Sequence, residues 1–164
     1  MQLKARFFSF SVLLATIATA IQATPGDYFY TTDPRGELAP KAGYTLEGIT
    51  GYVYTAPSAE TIPLYRWYQP DVNDHFYTTD PNGEVAPGAG YQKEGIAWYM
   101  YPTEKPGSVP LFRGYNPGNS HHFYTTNPSG ENAPKNGYNY EMITGFLYPE
   151  AKDGTVAVFR WYHG

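Results

Sequence analysis

The chain has 164 residues, no cysteine, and 15 acidic against 11 basic side chains, for a formal charge of −4. The missing cysteines exclude disulfide staples, and the acidic balance argues against nucleic acid or an anionic membrane as partner, since both are held by clustered Lys and Arg. Stability must come from packing, and the 17 Tyr, 9 Phe and 3 Trp supply rings that bury much area, two of the three types with a polar tip.

Lys4 and Arg6 precede an apolar run from Phe7 to Ile21 and then small residues, the form of a secretory leader over residues 1–23. Cleavage after Ala20 or Ala23 is expected. The second site leaves residues 24–164, three spans of 47, and loss of Lys4 and Arg6 takes the formal charge from −4 to −6. The run is short of the ~20 apolar residues of a membrane span. A secreted, extracellular, monomeric protein of one domain, without membrane insertion, is the expectation. The one Asn-x-Thr/Ser-like context, Asn127-Pro128-Ser129, has proline in the middle and is not a glycosylation acceptor.

From Asp27 onward three copies overlay without a gap. Phe29-Tyr30-Thr31-Thr32 returns at Phe76 to Thr79 and at Phe123 to Thr126, and Gly43-Tyr44 returns at Gly90-Tyr91 and Gly137-Tyr138. A fixed period of this size marks an architecture of one supersecondary unit that cannot bury its face alone. The segments YVY, LYRWY and HFYTT carry the residues that suit a pleated, half-buried surface and read as strands. Pro, Gly, Asn and Asp clusters between them read as turns. Tyr91 to Glu94 reads as a fourth strand of the unit, and a helical turn near Glu84 to Ala86 is expected to stop at Pro87.

The first copy lacks its own LYRWY strand, and the last segment, Val158 to Tyr162, supplies it. The domain thus divides into residues 24–63 completed by 158–164, then 64–110 and 111–157. When the C-terminus completes the unit begun by the N-terminus, the array closes and free strand edges are minimised. The expected fold is all-β, a closed three-fold pseudosymmetric array of about 47-residue units. It is expected to be β-trefoil-like, which needs four strands per unit; a three-bladed miniature propeller, the alternative, needs three.

The string LYRWYQPDVNDHFYTTDPNGE followed by GYQKEGIAWYMYP resembles a family of secreted bacterial and fungal Tyr/Trp-rich repeat domains of unknown function. The resemblance covers the whole chain after the leader and implies an accessory or adhesive module. The third copy departs at Gly114, where the pattern has an aromatic, and at Met142, where it has Gly.

Arg66, Arg113 and Arg160 recur with Glu47, Glu94 and Glu141, and the Arg fork suits a carboxylate on an adjoining strand. These are read as structural ion pairs. Tyr65, Trp67, Tyr115, Trp161 and Tyr162 are read either as core or as platforms for a sugar ring. His75 and His122 stand where the first copy has Tyr28, which points to hydrogen bonding at a strand start. No metal is expected, because adjacent His121 and His122 face opposite ways and zinc spacing is absent. Asp71, Asn73 and Asp74 lack the Gly and distal Glu of a calcium loop. Glu37, Glu84 and Glu131 are equivalent acids, whereas a glycosidase needs two carboxylates in different environments. The expected protein is therefore not an enzyme, uses no cofactor, and binds glycans of a cell wall or cell surface in the manner of a lectin. The alternative is an extracellular protein-binding factor, such as a protease inhibitor or host-interaction effector, acting through loops such as Asp33 to Gly43 and Thr103 to Gly107.

Overall fold

The computed structural model describes residues 26–164, so the leader expected at residues 1–23 lies outside the described residues. The protein is all-β. The strands are β1 (Asp27–Thr31), β2 (Thr45–Val53), β3 (Ile62–Gln69), β4 (Asp74–Thr78), β5 (Gln92–Met100), β6 (Val109–Asn116), β7 (His121–Thr125), β8 (Asn139–Leu147) and β9 (Val156–His163). They form three three-stranded sheets in the orders β1-β9-β2, β4-β3-β5 and β7-β6-β8. All pairs within them are antiparallel. The middle strand of each is the LYRWY-type segment. In the first sheet that segment is the last of the chain, with Phe29 opposite Trp161 and Thr31 opposite Phe159. The sheets remain separate and do not merge into a barrel.

Two expectations need correction. Tyr91 to Glu94 is not a strand of its own, because β5 runs unbroken from Gln92 to Met100. Register shifts against β3 between Leu64 and Tyr65 and between Arg66 and Trp67 bend it without ending it, as bulges do. Each unit thus has three strands. The helical turn also passes the proline: a 3₁₀ turn spans Ala86–Ala89, with sisters at Ala39–Ala42 and Ala133–Asn136. Proline in a first turn forfeits no hydrogen bond and brings a suitable φ.

The short strands β1, β4 and β7 meet at the centre, each at the inner edge of its sheet. Strand alternation turns Tyr30, Tyr77 and Tyr124 inward, and all three are about 1% exposed or less. The Tyr77 hydroxyl accepts the Tyr30 N–H at 2.8 Å and donates to the Tyr30 carbonyl at 2.8 Å. Tyr124 does the same for the Tyr77 backbone, at 2.8 and 2.7 Å. Tyr30 closes the cycle on Tyr124, at 2.8 and 2.7 Å. The rings stand edge to face with centroids 5.4–5.6 Å apart, the geometry that aromatic quadrupoles favour.

Leu64, Leu111 and Val158 from the middle strands and Val53, Met100 and Leu147 from the outer ones complete the central core. Towards the ends of the outer strands the units meet again through paired main-chain bonds: Tyr52 with Tyr148, Tyr54 with Tyr99, and Tyr101 with Phe146. Trp98 stacks on Tyr77 at 5.6 Å, while its equivalents are Gly51 and Gly145. A Cβ at either would come within 2.3 or 2.7 Å of Leu147 or Met100. Leu147 and Met100 thus occupy the space that a side chain at Gly51 or Gly145 would need.

The opposite face of each sheet is roofed by its own loop. Trp67 packs with Phe76 and Ala86, and Trp161 with Phe29, Ala39 and Tyr44. The loop backbone crosses the indole so closely that a Cβ at Gly83 or Gly36 would stand 2.5–2.6 Å from the ring.

Replacing Tyr77 by Phe removes one hydroxyl and leaves a buried N–H and a buried C=O of Tyr30 unpaired. At ~1–3 kcal/mol for each orphaned group, Tyr77→Phe is expected to cost roughly 2–6 kcal/mol in urea unfolding. Tyr140→Phe, at a 66% exposed position, should change stability by less than about 0.5 kcal/mol.

Candidate functional site

Where one inner strand passes the next, the first residues of the strands interlock. Asp27 of β1 is fully buried; its Oδ1 accepts the His75 N–H at 2.9 Å and its Oδ2 lies 2.5 Å from His75 Nδ1. Tyr44 donates its hydroxyl to the same Oδ2. Asp74, His122 and Tyr91 repeat this at the next junction, at 2.8, 2.6 and 2.6 Å. Burial alone would raise the Asp27 carboxyl, but the charge and hydrogen bonds of His75, with the Tyr44 hydroxyl, outweigh it and hold the group below its ordinary value. Burial and then the neighbouring aspartate push the Tyr44 and Tyr91 phenols well above their ordinary value, so both remain donors.

The third junction is built differently. His121 stands where the others have aspartate and Tyr28 where they have histidine. His121 is fully buried, its Nε2 lies 2.9 Å from the Val72 carbonyl, and its Nδ1 has no partner among the described residues. Tyr28 instead packs on Phe123 and Tyr162, both at 4.8 Å.

Each repeated arginine spans two units. Arg66 Nε bonds Glu94 of its own sheet at 2.6 Å, and its two terminal nitrogens bond both oxygens of Glu37 from the preceding unit at 2.9 and 3.0 Å. Arg113 holds Glu141 at 2.8 Å and Glu84 at 2.8 and 3.0 Å. Arg160 Nε lies 2.7 Å from Glu47, and its terminal nitrogens bond Glu131 at 2.8 and 3.0 Å. Glu37, Glu84 and Glu131 sit at positive φ of 54–57°, a sparsely populated conformation for glutamate. Thr31, Thr78 and Thr125 donate to them. Arg113 and Arg160 hold Glu84 and Glu131 below the ordinary carboxyl value; at Glu37 burial pushes upward and is outweighed by Arg66 and Thr31.

These groups frame two equivalent clefts. The cleft between the first and second units, about 300 Å³, has Phe29 and Tyr44 in its floor and His75, Tyr68, Arg66, Glu37 and Glu94 on its walls. Its counterpart between the second and third units, about 350 Å³, has Phe76 and Tyr91, then His122, Tyr115, Arg113, Glu84 and Glu141. Tyr68 packs against His75 at 4.7 Å and Tyr115 against His122 at 4.9 Å, the ring planes tilted by 31° and 38°. At the outer rim stand Leu38 and Val85, 71% and 81% exposed. With Nδ1 engaged by aspartate, each cleft histidine leaves Nε2 without a hydrogen-bond partner among the described residues.

The sequence-derived candidates are thus divided. His75, His122 and Tyr115 come together in the clefts with the arginines and glutamates, and Tyr162 lies at the third junction. Trp67 and Trp161 are only 6–7% exposed and lie under their own loops, so neither is a platform open to a sugar ring. Tyr65 shares the Trp67 face, beneath the Lys93 ammonium at 4.1 Å. Tyr68, Asp27, Asp74, Tyr44 and Tyr91 were missed as site residues, and the glutamates Glu37, Glu84 and Glu131 were weighed only as acids for catalysis. The signal available was their recurrence at the same spacing.

The depressed carboxyls give a pH dependence of definite sign. A carboxyl held low in the folded state adds stability above its ordinary value, 3.8 for Asp27 and 4.5 for the glutamates, and loses it as pH falls through the folded value. The urea midpoint should therefore drop on acidification below about pH 4.5. Glu84→Gln should lower the midpoint at neutral pH, because buried Arg113 loses its bidentate partner, and should flatten the acid limb. Parallel acid limbs in the two proteins would contradict this assignment.

Among the described residues no helix is long and apolar enough to cross a membrane, and no three His, Asp or Glu side chains gather as metal ligands. No curated protein and no solved structure matches the chain. Residues 7–101 and again residues 83–164 match the family described as a domain of unknown function, DUF5648. The two matches together span nearly all of the chain, which therefore belongs to that family.

Proposed function

We propose that the protein is a non-catalytic carbohydrate-recognition module acting outside the cell as a monomer, and that its sites are the two inter-unit clefts. The observation that carries this reading is the pairing, in each cleft, of a partly exposed Tyr ring, Tyr68 or Tyr115, backed by a buried His, with charged side chains already fixed by one another. A sugar offers an apolar C–H face and a rim of hydroxyls, and such a surface supplies both counterparts at little ordering cost. Two equivalent sites on one rigid body favour a polymeric or surface-bound ligand through effective concentration. Three strands per unit favour a three-bladed miniature propeller over a trefoil.

Binding without catalysis fits the charges. The cleft glutamates Glu37 and Glu84 are arginine-bound and held low, the opposite of the raised carboxyl a general acid requires. Beside the histidine the first cleft has Asn73 and the second Ser120, so the two share no nucleophile. The second reading, a protein-binding factor, draws on one observation: Tyr140, Met142 and Ile143 of β8 are 66%, 42% and 39% exposed. Capture of a defined secreted protein by immobilised wild type would favour it.

The test is a glycan array followed by calorimetric titration with fungal, plant and bacterial wall polysaccharides. Tyr68→Ala and Tyr115→Ala should each weaken binding at one cleft by about tenfold or more, equivalent to ~1.4 kcal/mol, and the double variant should abolish avidity while remaining folded. Absence of binding across the whole panel would remove the proposal.

A further inference from the structure

Two units fill a space with their own indole that the third leaves open. Trp67 lies against Phe76, Ala86 and Gly83, and Trp161 against Phe29, Ala39 and Gly36. The matching residue of the third unit is Gly114. Its matching walls, Phe123, Ala133 and Gly130, surround a cavity of about 260 Å³.

The walls have not collapsed into the gap. Phe123 and Tyr138 keep a centroid distance of 5.8 Å, against 5.9 Å for Phe76 and Tyr91 beside Trp67. The mouth has changed as well. In the second unit Lys93 sits over the indole at 5.5 Å, whereas the third unit has Tyr140 there, exposed and lining the cavity beside Phe112. A vacated aromatic slot has thus gained an aromatic lip.

We propose that this cavity binds one planar aromatic ring system of indole size. The filled sisters define what fits: neither Trp67 Nε1 nor Trp161 Nε1 has a hydrogen-bond partner in its slot, so shape and apolar contact select the ligand, and a fused hydrocarbon bicycle is accepted as well as indole. The ring can come from a free small molecule or from a tryptophan side chain of a peptide, which present the same chemistry. The cavity shares Arg113 with the second cleft and no wall residue with the first; its other walls belong to the third unit alone.

The experiment is titration of the folded protein with indole, naphthalene-2-sulfonate and N-acetyl-tryptophanamide, followed by amide chemical shifts and calorimetry. Saturable binding with shifts centred on Gly130 and Tyr138 is expected. Gly114→Trp, which installs the sister side chain, should raise the melting temperature and weaken binding by at least about tenfold. Ala133→Leu, which narrows the same slot, should weaken it as well, so the result does not hang on one variant. Comparable affinity for free indole and N-acetyl-tryptophanamide assigns the slot to a side chain of a partner; binding of the free rings alone assigns it to a small molecule. No saturation, or binding left unchanged by both substitutions, overturns the proposal.

Discussion

Each phenol of Tyr30, Tyr77 and Tyr124 supplies both hydrogen-bonding partners that a neighbouring edge strand lacks. An edge strand carries a row of N–H and C=O groups that must be paired, covered or left to water. At the buried centre water is excluded, and a fourth strand would meet its counterparts from the other units in the same space. A hydroxyl that donates and accepts at once solves the problem within one residue, and burial pushes the three phenols far above their ordinary value, so they stay protonated. Three-stranded sheets and three-fold closure follow from that exchange.

The same closure governs the arginines. Each guanidinium reaches a glutamate of its own sheet and another from the loop of the preceding unit, so the ion pairs cross every junction, including the one between Glu131 and Arg160 of the chain's last strand. A pair of this kind contributes uncertain net stability once desolvation is counted, but its loss leaves a nearly buried charge. Its service is to fix the register of one unit on the next and to hold the cleft walls still. The positive φ of Glu37, Glu84 and Glu131 is the local strain that aims each carboxylate across the junction.

Departures from symmetry fall where space or chemistry forces a choice. Trp98 stacks beside the central tyrosines, and where its equivalents would stand Leu147 and Met100 leave room for glycine alone. His121 and Tyr28 replace the aspartate and histidine at the third junction and turn it from a polar cleft into a packed aromatic seam. Gly114 removes the indole of the third unit and opens a slot on the other face. The three units are therefore alike in what joins them and unlike in what they present.

Much of this was readable beforehand. The 47-residue period, the sharing of one sheet between the chain ends, and the meeting of Arg66 with Glu94 follow from recurrence and strand alternation alone. The destination of the Tyr77 hydroxyl does not, because its partner is the backbone of another unit and backbone carries no sequence label. Nor does the covering of Trp67, since alternation names a face without saying what roofs it. Asp27 and Asp74 were obscured by His121, the one copy in which the pattern breaks.

The claim that the tyrosine cycle locks all three units together is tested most directly by native-state hydrogen exchange at the amides of Tyr30, Tyr77 and Tyr124. The account expects these three to be among the slowest in the protein and to exchange with one common free energy, that of global unfolding. A Tyr30 amide that exchanges by a separate, cheaper opening, as the first strand would if it merely frayed from its sheet, would contradict it.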